Sequence, residues 1–224
     1  MSHHNPKLIR AALAPLLIVA AFAIAACSPS LDNEPSLPPM SPAIPGAPSP
    51  TDTGPGATAG AGDTSPEACN GTIGAVEVDE VNVPDGATCR LAGTLVDGNV
   101  FVRSGSTVEI TGGSVGGNVQ GQGAASVQVL AATVDGNVQV EQGQSARVVD
   151  SYVGGDIQIE SQSGAQAVES NDVDGNVQVN QNSGGVTISG NVINGNLECQ
   201  ANDPAPTGGE NEVQGSREDQ CSGL

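Results

Sequence analysis

The chain has 224 residues and a formal net charge of −19, with six Lys or Arg against 25 Asp or Glu and two His. That balance repels nucleic acid and anionic headgroups and suits solubility, cations or a basic partner. Two Phe, one Tyr and no Trp are too few large side chains for a compact core of helices and sheets, though not for a long, thin architecture filled with Val and Ile.

Taken in chain order, Lys7 and Arg10 precede an uncharged apolar run from Ala11 to Ala26. The run is short for a membrane span and ends on small residues, so it reads as a secretory signal. Its last residues, Ile24-Ala25-Ala26-Cys27, resemble a bacterial lipobox. The resemblance implies cleavage after residue 26 and lipidation of the Cys27 sulfur. Several acyl chains on one residue anchor firmly where a single chain is marginal. Ordinary signal cleavage, with Cys27 left as a thiol, is the alternative. Ser28 carries no Asp-type signal for retention at an inner membrane. Loss of residues 1–26 removes Lys7, Arg10 and both histidines, taking the formal charge from −19 to −21 and leaving Arg90, Arg103, Arg147 and Arg217 as the only basic side chains.

Residues 28–66 hold ten prolines among Ser, Thr, Ala and Gly. Nothing in this stretch supplies a core, and the composition is that of a linker. Segment 27–66 is therefore expected to be a lipid-anchored, disordered stalk, reaching roughly 120 Å if fully polyproline-like at about 3.1 Å per residue.

From Glu67 the composition turns to Val, Gly, Asn and Gln, and a repeat begins. The unit VDGNV at Val96 recurs as VGGNV at Val115, VDGNV at Val134, VGGDI at Val153, VDGNV at Val173 and INGNL at Ile193, at spacings of 19, 19, 19, 20 and 20 residues. Alignment on these units gives apolar columns. One is Val96, Val115, Val134, Val153, Val173 and Ile193; the next is Val100, Val119, Val138, Ile157, Val177 and Leu197. A third is Val102, Gly121, Val140, Ile159, Val179 and Cys199, and a fourth runs from Ile110 through Val129, Val148 and Val168 to Ile188. An outward column lies between the second and third: Phe101, Gln120, Gln139, Gln158, Gln178 and Glu198.

Apolar-polar-apolar alternation is strand periodicity, and Asp-Gly and Gly-Asn are turn residues that tolerate positive φ. One register held for about a hundred residues predicts an all-β parallel solenoid over 67–224, in which like side chains stack about 4.8 Å apart. The column Asn99, Asn118, Asn137, Asp156, Asn176 and Asn196 should form a turn ladder, and the Gln column a second ladder on an outer face. The extra residues of the later coils should fall near Ser161–Gly164 and Asn180–Gly184.

Both ends of the repeat are visible. Val81, Val83, Gly86, Cys89 and Leu91 align with Val100, Val102, Gly105, Val108 and Ile110, and Asn211–Gly215 echoes Asn191–Gly195. Seven to eight coils result. Cys69 and Cys89 lie at the start, Cys199 and Cys221 at the end. An even set in an exported protein reads as disulfides. Separations of 20 and 22 residues place each pair on adjacent rungs, which favours Cys69–Cys89 and Cys199–Cys221 over the two other connectivities. The architecture resembles right-handed parallel β-helices and, more loosely, bactofilin-like solenoids with short coils, a likeness of period that implies a fold and no function.

Chemistry is sparse. Ser or Cys nucleophiles need a base, usually His or Lys, and residues 27–224 contain neither. Carboxylate pairs remain, but polysaccharide-active β-helices line their grooves with aromatic and basic residues that this chain lacks. The expectation is a protein that is not an enzyme and uses no cofactor. For a metal, Glu169, Asp172 and Asp174 are weak calcium candidates, against the plainer reading of Asp-Gly as turn chemistry. The column Leu95, Ser114, Thr133, Tyr152, Asp172, Val192 is no ice-binding threonine array. Phe101 reads as cap packing or a partner contact, and Tyr152 as a similar loose contact. The leading functional expectation is a non-enzymatic structural or binding module of the cell envelope, tethered to the membrane through Cys27, with an envelope protein or a glycan as possible partner and no nucleic acid. An adhesin-like or carbohydrate-binding protein using the Gln face comes second, and a polysaccharide-active enzyme third.

Overall fold

A computed structural model describes residues 67–224. The signal segment, Cys27 and the stalk expected at 1–66 lie outside the described residues.

The repeat folds as three strands per coil. A middle coil runs through Val138–Glu141, Ser145–Val149 and Tyr152–Val153 before the chain returns to the first face one rung higher. Equivalent strands stack in parallel into three sheets of nine, eight and eight strands. These are the first, second and third faces, in the order each coil visits them. The expected parallel β-solenoid is therefore the observed fold. The register matches the aligned columns: Val119 pairs with Val138 and Val100, Gln139 with Gln158, and Val153 with Val173. The degraded coils take their expected places too, with Val81 beside Val100, Leu91 beside Ile110, and Val213 beside Ile193.

All four apolar columns point into the stack, and every member is buried, Gly121 included. The missing side chain at Gly121 is filled from the second face: a Cβ there would lie 2.8 Å from Val127 Cγ2. Each buried Val or Ile contributes on the order of 1.5–3 kcal/mol relative to exposure, and their strict stacking replaces the large aromatics of an ordinary core.

The turn chemistry differs from expectation. The Gly-Asn corner between the third and first faces is not where positive φ falls. Its glycines are required by close approach instead. At Gly136, an added Cβ would sit 2.5 Å from Gly117 O and 2.6 Å from Asn118 Oδ1. Among the corners, positive φ falls at the other two. Between the first and second faces it falls at Gly86, Gly105, Gly123, Gln142, Ser161, Gln181 and Ala201; between the second and third, at Gly93, Gly112, Ala131, Asp150, Ser170, Gly190 and Glu210. The motif visible in the sequence thus marks a corner of close backbone approach, while the left-handed residues of the other two corners are glycine in the early coils and mostly other residues in the late ones.

The change from 19 to 20 residues per coil is also localised. Glu141 pairs with Glu160, whereas Ala146 pairs with Gln166, so the extra residue enters between Glu160 and Gln166, as expected. It brings an amide inward. Gln162, Asn182 and Asn202 are all buried at this corner.

Both disulfides form as paired from the sequence, Cys69–Cys89 and Cys199–Cys221, with Cα–Cα distances of 5.5 and 5.2 Å. Each clamps one end of the stack, where open sheet edges would otherwise fray or pair with other chains.

Candidate functional site

The inward columns leave the outward positions of the first face free to present chemistry. Strand alternation places Phe101, Gln120, Gln139, Gln158, Gln178 and Glu198 side by side along the stack. All are half-buried. Three rungs of the expected ladder are bonded: Gln120 Nε2 donates to Gln139 Oε1 at 3.5 Å, Gln139 Nε2 to Gln158 Oε1 at 3.0 Å, and Gln178 Nε2 to Glu198 Oε2 at 3.2 Å. Each amide keeps a second N–H and further lone-pair capacity for other partners.

At the N-terminal side of this ladder the face opens into a groove of about 660 Å³. Phe101, Arg103, Gln120, Gln139 and Glu141 are among its walls, with the Gly121 backbone in its lining. Phe101 stands on the third strand of the first face, between Asn82 and Gln120, so it lines a groove and does not close the end of the rod. The Arg103 guanidinium lies 5.6 Å from the centre of its ring, a cation–π distance, and Nε donates to Asn82 Oδ1 at 3.0 Å. Two bonds thus hold one of the few cations of the protein against one of its few aromatics.

The turn ladder between the third and first faces is present. Asn99 Oδ1 accepts from the Asn118 backbone N–H at 2.8 Å and from Asn118 Nδ2 at 3.1 Å, and Asn137 repeats both bonds to Asn118. Asp156 continues the series: its Oδ1 accepts from the Asn176 backbone and Nδ2 at 2.6 and 3.0 Å. A carboxylate suits that rung because, taken singly, the rung needs an acceptor.

Two further ladders lie deeper and were not foreseen. At the second-to-third corner, Asn171, Asn191 and Asn211 are buried. Asn191 Oδ1 accepts from the Asn171 backbone N–H and Nδ2, both at 3.0 Å, and Asn191 Nδ2 reaches Val168 O at 2.8 Å and Asn211 Oδ1 at 2.9 Å. At the first-to-second corner, Asn182 and Asn202 repeat the pattern and Gln220 terminates it. Gln166 takes a position in an otherwise apolar inward column and accepts from the Ala146 N–H at 2.6 Å. The 20-residue recurrence of Asn171, Asn191 and Asn211 was readable; that their amides face inward was not.

The weak calcium candidates are not brought together. Glu169 is on the second face, Asp172 on the third, and Asp174 at the following corner. Both Asp174 oxygens are engaged, Oδ2 by the Tyr152 hydroxyl at 2.7 Å and Oδ1 by Asn194 Nδ2 at 2.9 Å. Among the described residues no group of three or more His, Cys, Asp or Glu side chains forms a metal position. Tyr152 is therefore tied to Asp174 along the third face, and that hydrogen bond, reinforced by the carboxylate charge, raises its pKa above the ordinary 10.0.

The fold and site define a disulfide-clamped, three-faced parallel β-solenoid with an amide-lined outer face. Comparisons with protein-family models, curated proteins and solved structures find no match to this chain.

Proposed function

We propose that the protein is an extracytoplasmic, non-enzymatic binding or structural module, held at the membrane through lipid on Cys27 and carried outward on the 27–66 stalk. The observation that carries this reading is the pair of disulfides closing the two ends of one stack. Disulfides persist in oxidising compartments and are rare in a reducing cytosol, and an exported fate agrees with the apolar segment Ala11–Ala26 that precedes Cys27. A rod whose inward positions are spent on stacking has its outer faces free for contact. The absence of His and Lys from residues 27–224 favours binding over catalysis. If the cell has two membranes, Ser28 points to the outer one.

The anchor is tested by metabolic labelling with a fatty-acid probe. The wild-type chain should take up label and fractionate with membranes; Cys27→Ser should lose the label and be left uncleaved or shed. Label that persists in the Cys27→Ser protein would overturn the tether.

A further inference from the structure

We propose that the groove on the first face is a binding site for a neutral carbohydrate chain of roughly two to three sugar units, its length set by three strands that span about 10 Å at the usual strand spacing. The inference deepens the reading of this protein as a binding module and rests on it.

The chemistry of the walls selects the ligand class. Gln120 and Gln139 offer planar amides that donate and accept in the same plane, as recognition of adjacent hydroxyls requires. Successive amides recur at the strand spacing, comparable with the advance of an extended glycan per sugar. Phe101 supplies the one aromatic ring of the groove, suited to the C–H face of a pyranose. Arg103 bonds Asn82 through Nε and lies over the Phe101 ring, so its remaining N–H groups are donors in the wall. The charged lining residues are Arg103 with Asp85 and Glu141. An acidic ligand would meet two carboxylates for one cation on a chain of net charge −19, and an apolar ligand would leave the amides unpaired. A neutral polyhydroxyl ligand satisfies both constraints.

The test is calorimetric titration of the full chain with cellotriose, chitotriose, maltotriose and mannotriose, with trigalacturonic acid as the charged comparison. At least one neutral trisaccharide should bind saturably and better than the acid. Phe101→Ala and Gln139→Ala should each weaken that binding by about tenfold, equivalent to losing roughly 1.4 kcal/mol, with an unchanged β-sheet circular dichroism spectrum. Tyr152→Ala, on the third face, should leave it unaltered. No binding of any neutral trisaccharide, equal binding by Phe101→Ala, or preference for the acid would overturn the proposal. Labelling of Cys27 is a separate readout, so failure of the groove is distinguishable from failure of the tether.

Discussion

The early and late coils of this solenoid solve one problem in two ways. In the early coils the two left-handed corners rely on glycine and small residues: Gly105-Ser106 and Gly123-Ala124 at one, Gly93-Thr94 and Gly112-Gly113 at the other. In the late coils the left-handed residue is usually not glycine, and a buried amide follows it, as in Ser161-Gln162, Gln181-Asn182, Ser170-Asn171 and Glu210-Asn211. A bend leaves backbone groups off the sheet ladders, and buried groups of that kind must find partners. The early coils bend tightly enough for backbone and small hydroxyls to suffice, with Thr94 Oγ1 donating to Ile73 O at 3.0 Å or Gly74 O at 2.8 Å. The late coils send in an amide that reaches a carbonyl on the rung below, as Asn182 does to Ile159 O and Asn202 to Val179 O. At the first-to-second corner the amide arrives with the extra residue of the longer coil. Ser151 is the junction between the two styles: its hydroxyl accepts from Ala132 below, and its N–H donates to Asn171 Oδ1 above.

Both styles depend on the same aliphatic stack, and the largest effect should come from breaking it. Val138→Asp puts an unpaired carboxylate into a fully buried column and should cost more than about 4 kcal/mol, seen as loss of the β-sheet spectrum or aggregation. Gln139→Ser, the next residue and outward, should stay within about 0.5 kcal/mol. Equal effects would mean that the inward register is wrong.

The comparison between corners is sharpened by Asn191→Ala. It strips acceptors from Asn171 and leaves Val168 O without its amide donor, so it should cost about 2–4 kcal/mol in urea denaturation. Ala132→Gly, at the corresponding place in the early coils, should cost about 1 kcal/mol. At the C-terminal end, replacing Cys199 and Cys221 together by Ser should cost about 3 kcal/mol. The loss should be local, with hydrogen-exchange protection of the central coils retained. Peptide mapping without reduction should recover Cys69 joined to Cys89 and Cys199 joined to Cys221.

Smaller effects test the corner backbone itself. Ala131 is held at φ 50° and Gly112, one coil earlier, at φ 63°. Ala131→Gly should therefore stabilise slightly and Gly112→Ala destabilise, each by about 1 kcal/mol or less. The last test is spectroscopic. Tyr152 is the only tyrosine in the chain, so its ultraviolet titration reports one group. Its pKa is raised in the folded protein by the Asp174 hydrogen bond and charge. The associated stability is fully present below the unfolded pKa of about 10 and disappears as pH rises through the folded value. Asp174→Asn should bring the titration back toward 10, and an unchanged titration would mean that the pair does not form in solution.

Much of this was legible in the sequence. The recurrence from Val96 to Ile193 defined the coil, alternation around Gln139 separated inside from outside, and the cysteines one coil apart identified the ends. These are one-dimensional properties: in a stack, the residue one period later in the chain is the residue alongside, so sequence spacing is already spatial contact. The three-faced cross-section, the left-handed corners at Ala131 and Gln142, the inward amides of Gln162 and Asn191, and the groove beside Phe101 were decided only by tertiary structure. A corner residue has no alternating pattern to declare its direction. Whether its amide faces solvent or the core depends on which carbonyls the neighbouring coils leave unpaired, and that is fixed only when the coils close on one another.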